Sequence, residues 1–357
     1  MALLCLADVN FAIHHTMKKI LVVFTGGTIG STASDGTINT SKQAPFKLLQ
    51  LFTTQYPNTY DVEFDVLRPL QILSENLAPA AWVIIIEAIE SNQPDKYDGI
   101  IVTHGTDTLA YTAAALSFYF NALKKPLLLV SSDYPLENTK GNGLVNFHSA
   151  VEFIRQQVAQ GVFVPYRNTG KSMQIHQGSR LTCSLQLSGD FYSVQGNSFA
   201  SFDGQMFSKT ATNEPTITTD HVLKPEFSKG IMLVRPYPGL DYSHLNLAGV
   251  AAILHDLYHS GTACVTEQWG SNYSLVEFVK RCKREGVTVY LAPAINSANA
   301  YQTTRALIQQ GAQMIWNMSV EAAYVKLMLA YGNYAGGQQI TEFLAKDIAD
   351  EHVVKFD

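Results

Sequence analysis

The sequence predicts an α/β protein, with a larger N-terminal domain built on a mostly parallel sheet flanked by helices and a smaller C-terminal α/β domain. Three observations lead there. Short apolar runs alternate with longer segments of helical length, two of the runs end in glycine-bearing turns, and the alternation fades once before it resumes.

KKILVVF (18–24) turns continuously apolar after its lysines and runs into TGGTIG, as a strand buried on both faces of a parallel sheet does. VEFDVLRPL (62–70) reads as the next strand. PAAWVIIIEAIE (79–90) reads as a helix whose proline suits the first turn, where a missing N–H breaks no helical hydrogen bond. DGIIVTHG (98–105), PLLLV (126–130) and GVFVPYR (161–167) are strands; TDTLAYTAAALSFYFNAL (106–123) and LVNFHSAVEFIRQQVA (144–159) are helices between them. This order implies right-handed crossovers in one sheet. From about Gly196 to Lys229 the chain turns polar, and TATNEPTITTDH (210–221) reads as an interdomain connection. Alternation returns with strands at 230–239, 251–259, 287–293 and 312–318, and helices at 274–286, 301–311 and 319–332. The expected division is an extension at 1–17, a domain at 18–209, a linker at 210–229 and a second domain at 230–345.

At 357 residues, 46% hydrophobic and 15% charged, the chain has the composition of an ordinary globular protein. Its net charge of −5, with lysines and arginines scattered, argues against nucleic acid as a partner, because a binder of phosphate backbones concentrates basic residues on one face. Cys5, Cys183, Cys264 and Cys282 lie far apart and form no metal-type pair, so they read as reduced thiols. No run approaches the length of a membrane span, and the first sixteen residues are too broken by Asp8, Asn10, His14 and His15 to read as a secretory leader. The expectation is a cytoplasmic protein with no membrane partner.

Two segments carry chemistry. Thr25 directly follows an apolar strand and precedes Gly26 and Gly27, which permit a tight bend and expose N–H groups able to hold an anion. A hydroxyl beside such groups has what acyl transfer needs, a nucleophile next to an oxyanion site. A dinucleotide fingerprint would require glycine at 25, where threonine stands. HGTDT (104–108) likewise follows a strand and places Thr106, Asp107 and Thr108 where the next helix begins. Each segment alone also fits a capped turn. Together, at strand ends of one sheet, they place Thr25, Thr106 and Asp107 in one crevice.

The pair TGGTIG and HGTDT, in this order and spacing, resembles the bacterial-type asparaginase/glutaminase family and especially its cytoplasmic type I branch. The resemblance runs from about Lys18 to Tyr331, with RPYPG and NMSVEAAYVKL as C-terminal landmarks, and Met17 stands where family members begin. It implies a metal-free, cofactor-free amidohydrolase acting on a small asparagine-like amide, assembled as a homodimer or homotetramer. By the same resemblance Thr25 is the nucleophile of a threonyl acyl-enzyme. Thr106 activates and positions the attacking group, and Asp107 binds the substrate's α-amino group. Ser74 and Glu75, in QILSENLAP, match the pair that grips the amino acid's backbone ends; helix capping ahead of PAAW is their plain alternative.

Two positions depart from the family pattern. Thr37 stands where the lid loop carries a tyrosine, and Cys183, in GSRLTC, where a lysine completes a proton relay; Lys171 is a substitute only if the loop is rearranged. A thiol in place of an ammonium removes a charge that would stabilise an ionised neighbour. The sequence therefore also admits a non-catalytic or weakly active binder of asparagine or aspartate, or an amidase for another small amide. His255 and His259 have half the spacing of a helical zinc site but lie in a segment that reads as a strand, and Asn142 and Asn146 read as structural.

Overall fold

The structure, a computed structural model, describes residues 17–27, 29, 31–34, 37–40, 44–59, 61–210, 221–296 and 301–354. Residues 1–16, Thr28, Gly30 and the 211–220 part of the expected linker lie outside them.

The first sheet contains β1 (Lys18–Phe24), β4 (Val62–Leu67), β5 (Gly99–Thr103), β6 (Pro126–Val130), β7 (Gly161–Arg167), β8 (Met173–Gln177), β9 (Ala200–Phe202) and β10 (Phe207–Lys209). Their order is β10-β9-β8-β7-β6-β5-β1-β4. Strands β4, β1, β5, β6 and β7 pair in parallel, and β7 through β10 pair antiparallel. The mostly parallel sheet is thus as expected, extended by three antiparallel strands at one edge. These are short and polar-rich, as in MQIHQ and FSK, so they carry little periodicity for a sequence to show. A separate hairpin, β2 (Ser31–Ser34) with β3 (Thr37–Thr40), follows the TGGTIG turn.

Both faces of the parallel strands are covered. Ile20, Val22 and Phe24 of β1 join a core with α1 (Ala44–Gln55) and α4 (Gly143–Arg155). Leu21 and Val23 point the other way, into a core with α2 (Pro79–Ser91) and α3 (Leu109–Tyr119). This two-sided burial is the reason KKILVVF shows no alternation of polar and apolar residues.

The second sheet is parallel, in the order β11 (Ile231–Val234), β12 (Ala252–Asp256), β13 (Thr288–Ala292), β14 (Gln313–Met314). On one face α5 (Leu275–Arg284) and α6 (Gln302–Gln309) enclose Ile253, Val289 and Leu291. The other face meets α7 (Val320–Asn333) and α8 (Gly337–Ala345), in a core continuous with that around α2 and α3. The two sheets therefore share apolar interior rather than touching at their surfaces. Two helices were not foreseen: α1, in a stretch between TGGTIG and VEFDVLRPL to which no element was assigned, and α8, because GQQITEFLA is short and opens on glycine.

Beyond residue 345 the chain folds back as a strap. Lys326 of α7, fully buried, donates to the carbonyls of Leu344 and Lys346 and pairs with the equally buried Glu351. Burial alone would raise the Glu351 pKa, but the Lys326 ammonium holds it down to about 2. Ser179 and Arg180 of the first unit reach over to the strap, donating to the carbonyls of Ala349 (2.7 Å) and His352 (2.8 Å).

Three histidines sit in this interior as neutral rings. Burial pushes His104, His176 and His255 each down to about 4. A histidine whose folded pKa lies below its unfolded value, roughly 6.5, costs no stability above that value and progressively more below it. Stability is expected to fall from pH 6.5 toward pH 4, with a slope approaching about 4 kcal/mol per pH unit from three such groups. Urea unfolding midpoints at pH 7, 6 and 5 measure this; a midpoint unchanged across that range would show the rings titrating normally.

Candidate functional site

Strand β1 has β4 on one side and β5 on the other, and the chain leaves β1 toward one face of the sheet and reaches β5 from the opposite face. A crevice opens beyond the carboxyl ends at such a switch point. Three segments meet there. Thr25 to Gly27 continue β1, Ile72 to Ser74 follow β4, and His104 to Asp107 follow β5.

The first two segments pair as strands would. Gly26 bridges Ile72 in parallel, Ile72 N–H donates to the Thr25 carbonyl at 2.9 Å, and Gly27 N–H returns to the Ile72 carbonyl at 3.0 Å. The third packs against both at backbone distance. A Cβ on Gly27, whose φ is +75°, would stand 2.3 Å from the Gly105 nitrogen, and one on Gly105 would stand 2.3 Å from Ser74 Oγ. Only glycine fits either position.

Thr25 is 2% exposed. Its N–H donates to Thr103 Oγ1 at 3.3 Å, and its hydroxyl donates to the Thr103 carbonyl at 2.5 Å. That hydroxyl proton rests on a backbone carbonyl, which is not a base. Ser74, also buried, donates to Asp107 Oδ2 at 2.9 Å and accepts from the Asp107 N–H at 3.2 Å. Thr108 donates to the Ser74 carbonyl at 3.0 Å. Ser74 and Asp107 are therefore one unit, with the exposed carboxylate facing solvent and the serine hydroxyl behind it.

The structure bonds Ser74 to Asp107, next to Thr106 in the chain, and packs the Gly27 backbone against Gly105, while the Thr25 side chain is buried against Thr103. Glu75 does not join them: it is exposed in the one-turn helix Ser74–Asn76, and its carboxylate makes no hydrogen bond or ion pair among the described residues. The Thr37 backbone opens β3, whereas its side chain lies outside the described part of the structure. Cys183 is held at the junction of the two units, its N–H donating to Glu321 Oε1 of α7 at 3.1 Å. Burial first, and the Glu321 carboxylate next, push its thiol up to about 12, so it is neither an ammonium nor a thiolate at neutral pH. Lys171 is exposed in the turn between β7 and β8.

Of the features set aside, Asn142 and Asn146 tie the ends of β6 and β7. Asn142 donates to the Arg167 carbonyl at 3.0 Å, and Asn146 donates to the Ser131 carbonyl at 2.9 Å. His255 lies on β12 with both ring nitrogens engaged, one with the Tyr242 hydroxyl at 2.9 Å and the other with the Asp256 carbonyl at 2.5 Å. Sequence reasoning missed Thr103, which holds the Thr25 hydroxyl, gave His104 no role although it opens HGTDT, and missed Thr112 and Trp82, which are bonded to that histidine and to each other. Thr103 ends an apolar strand as a lone hydroxyl, a signal that was available. The others are scattered over two helices and a loop and share no local pattern.

Comparison with known proteins identifies the family and the fold. Residues 19–212 match the family model described as "Asparaginase, N-terminal". Among curated proteins, the chain is 26% identical to a glutamyl-tRNA(Gln) amidotransferase subunit of Metallosphaera sedula, over 94% of this chain and 76% of that one. It is 27% identical to the corresponding amidotransferase subunit from Methanococcus maripaludis, over 97% and 83%. Among solved structures, the thermostable L-asparaginase from Thermococcus kodakarensis superposes with a TM-score of 0.77 at 26% identity, covering 94% of this chain and 100% of its own. L-asparaginase I from Vibrio cholerae gives a TM-score of 0.77 at 24% identity, covering 95% and 100%, and shares the fold.

The close approach of Gly27 to Gly105 makes a specific demand on substitution. Gly170 has a similar φ of +68° but nothing within 4 Å of an added Cβ. Gly170→Ala is expected to cost about 1 kcal/mol from backbone conformation alone, and Gly27→Ala more than about 3 kcal/mol because its methyl group also meets backbone. Denaturant unfolding of the two variants measures the difference; equal losses would mean that the three segments are free to separate.

Proposed function

The chain belongs to the asparaginase family and carries its amidohydrolase fold, and from this premise we propose that it hydrolyses L-asparagine to L-aspartate and ammonia through a threonyl acyl-enzyme. The observation that supports this reading most is the close packing of the TGGTIG turn, through Gly27 and Gly105, against the Ser74–Asp107 unit.

In the proposed reaction Thr25 Oγ1 attacks the side-chain amide carbon, forming a C–O bond and a tetrahedral oxyanion. The C–N bond then breaks, ammonia leaves with the proton from the threonine, and water hydrolyses the ester to release aspartate and restore Thr25. The carboxylate of Asp107 takes the α-ammonium, and the Ser74 hydroxyl, donating to it, keeps that carboxylate in place. Thr106 belongs to the same crevice and serves the attacking group. Glu75 contributes to the ammonium pocket only if its exposed carboxylate turns inward on binding.

The Thr25 proton is the difficulty in this scheme. The Thr103 carbonyl that holds it cannot accept it, and the Cys183 thiol, pushed up to about 12, offers no relay at neutral pH. The hydroxyl must leave Thr103 before it reacts. Slow turnover follows from this chemistry.

A second reading has its own support in the amidotransferase subunits, which match nearly the whole chain. There the same site would free ammonia for transfer within a larger assembly that acts on glutamyl-tRNA.

Ammonia release from L-asparagine tests the first reading. Wild type is expected to turn over and Thr25→Ala to lose at least about 10³-fold in kcat. An inert wild type that still binds aspartate would sink the hydrolase and leave the binder; one that turns over only with companion subunits would favour the amidotransferase. Cys183→Lys is expected to raise kcat by about 10²-fold, the scale of a positioned acid–base group. An unchanged or lower rate would mean that Cys183 does not occupy the relay position.

A further inference from the structure

The strap after α8 returns to the body of the protein through a cluster of buried charges. Lys326 of α7 and Glu351 are both fully buried, and the Lys326 ammonium lies 5.8 Å from the ring centre of Phe118 and 5.6 Å from that of Phe343. Glu351 pairs with Lys326 and also accepts from the N–H groups of Ile348 (3.1 Å) and Ala349 (2.8 Å). One ammonium and one carboxylate balance. Asp347 then adds a second carboxyl: its Oδ1 accepts from the Glu351 N–H at 3.1 Å, and the two carboxyls share a hydrogen bond. Carboxylates can only accept, so a hydrogen bond between them requires a proton. Lys326 keeps Glu351 ionised, which leaves that proton on Asp347.

Charged and titratable groups reach Asp347 from every element packed there. Helix α7 gives Lys326, engaged by Glu351 and by two carbonyls. The strap gives Lys346, Asp350 and His352, the last with its ring 3.9 Å from Asp347 Oδ2. His221 comes from the segment before β11, and Arg180 from the first unit, where it donates to the carbonyls of Asp350 and His352. Burial and the Glu351 carboxylate outweigh the cations and push Asp347 up to about 7.

The strap binds both units. Ser179, Arg180 and Gln195 of the first donate to its carbonyls, and its Val353 N–H donates to the Asn317 carbonyl of the second at 2.7 Å. We infer that residues 346–354 are a proton-operated latch between the units: Asp347 with its proton holds Glu351 and closes the strap, and Asp347 that has lost its proton to solvent repels Glu351 and releases it. Release would free Ser179 and Arg180, just before Cys183, from the second unit. In the released strap Asp347 is an ordinary carboxyl of pKa about 3.9. A folded value raised above that favours closure at low pH, and the advantage is lost as pH rises to about 7. His352 and His221 act in the opposite sense, because burial lowers both, and they favour release below about pH 6.5.

Amide hydrogen exchange of the full-length chain at pH 5, 6, 7 and 8, corrected for the chemical exchange rate, reads strap opening at the Val353 amide. The comparison is Asp347→Asn, which keeps a donor for Glu351 and cannot ionise; Asp347→Ser, which cannot ionise either, serves should the first variant not fold. The histidine contributions are common to both chains and cancel in the ratio of their openings. Solvent over the exposed part of Asp347 screens its charge, so the wild-type-to-variant ratio is expected to rise at least about tenfold from pH 5 to pH 7 and to level off above that. A ratio constant across the range would overturn the inference. So would one that rises equally at amides of β6, since that would be unfolding of the whole chain rather than release of the strap.

Discussion

The contact of Gly27 with Gly105, backed by the Ser74 hydroxyl, is the constraint on which the rest of the site depends. Three strand ends can converge within backbone distance only where no side chain intervenes. Once they do, the Ser74 hydroxyl meets the Asp107 carboxylate and the Thr25 hydroxyl meets the Thr103 carbonyl, at neighbouring strand ends of a parallel sheet. The rigidity comes from pairing: Gly26 and Gly27 extend β1 against the segment after β4, while the Thr25 amide and hydroxyl fasten β1 to β5. A site held this way needs little rearrangement of its backbone when ligand binds, which is the condition for electrostatic stabilisation by fixed dipoles.

Among the described residues, the Thr25 hydroxyl has the Thr103 carbonyl as its acceptor and no base. Cys183 faces Glu321 and Tyr111 at the junction of the units, and burial beside a carboxylate keeps its thiol protonated. The same low-dielectric surroundings keep His104 neutral, so beneath the turn the protein uses neutral hydrogen bonds where a charge would be costly. Among the described residues, neutral hydrogen bonds that hold backbone in place are thus well represented beneath the turn.

The two sheets reinforce the site from a distance. The core around α2 and α3 continues into α7 and α8, so the helices that carry Trp82 and Thr112 are clamped between the β-sheet on one side and the C-terminal unit on the other. The strap after α8 closes this arrangement. Lys326 and Glu351 pair inside it, and Ser179 and Arg180 grip its carbonyls immediately before Cys183 in the chain. Removing one member of such a buried pair leaves an uncompensated charge, which typically costs about 3–5 kcal/mol.

By itself the sequence determined the class of fold, the strands and helices of both units, and the two threonine segments at strand ends, because each of these is written in local periodicity or in a short contiguous motif. Apolar runs such as KKILVVF announce burial on both faces, and TGGTIG and HGTDT announce turns where hydroxyls meet exposed N–H groups. It did not determine the hairpin β2–β3, α1, the antiparallel edge from β8 to β10, or α8, most of which pair or pack too briefly to impose a pattern. Only the tertiary structure decided which polar groups share a bond. It joined Ser74 to Asp107 and left Glu75 outside, turned Cys183 toward Glu321, and linked Trp82, Thr112 and His104 into one hydrogen-bonded chain beneath Gly105. The physical reason is that these partners are far apart along the chain, and their meeting is set by how close two glycine backbones can approach.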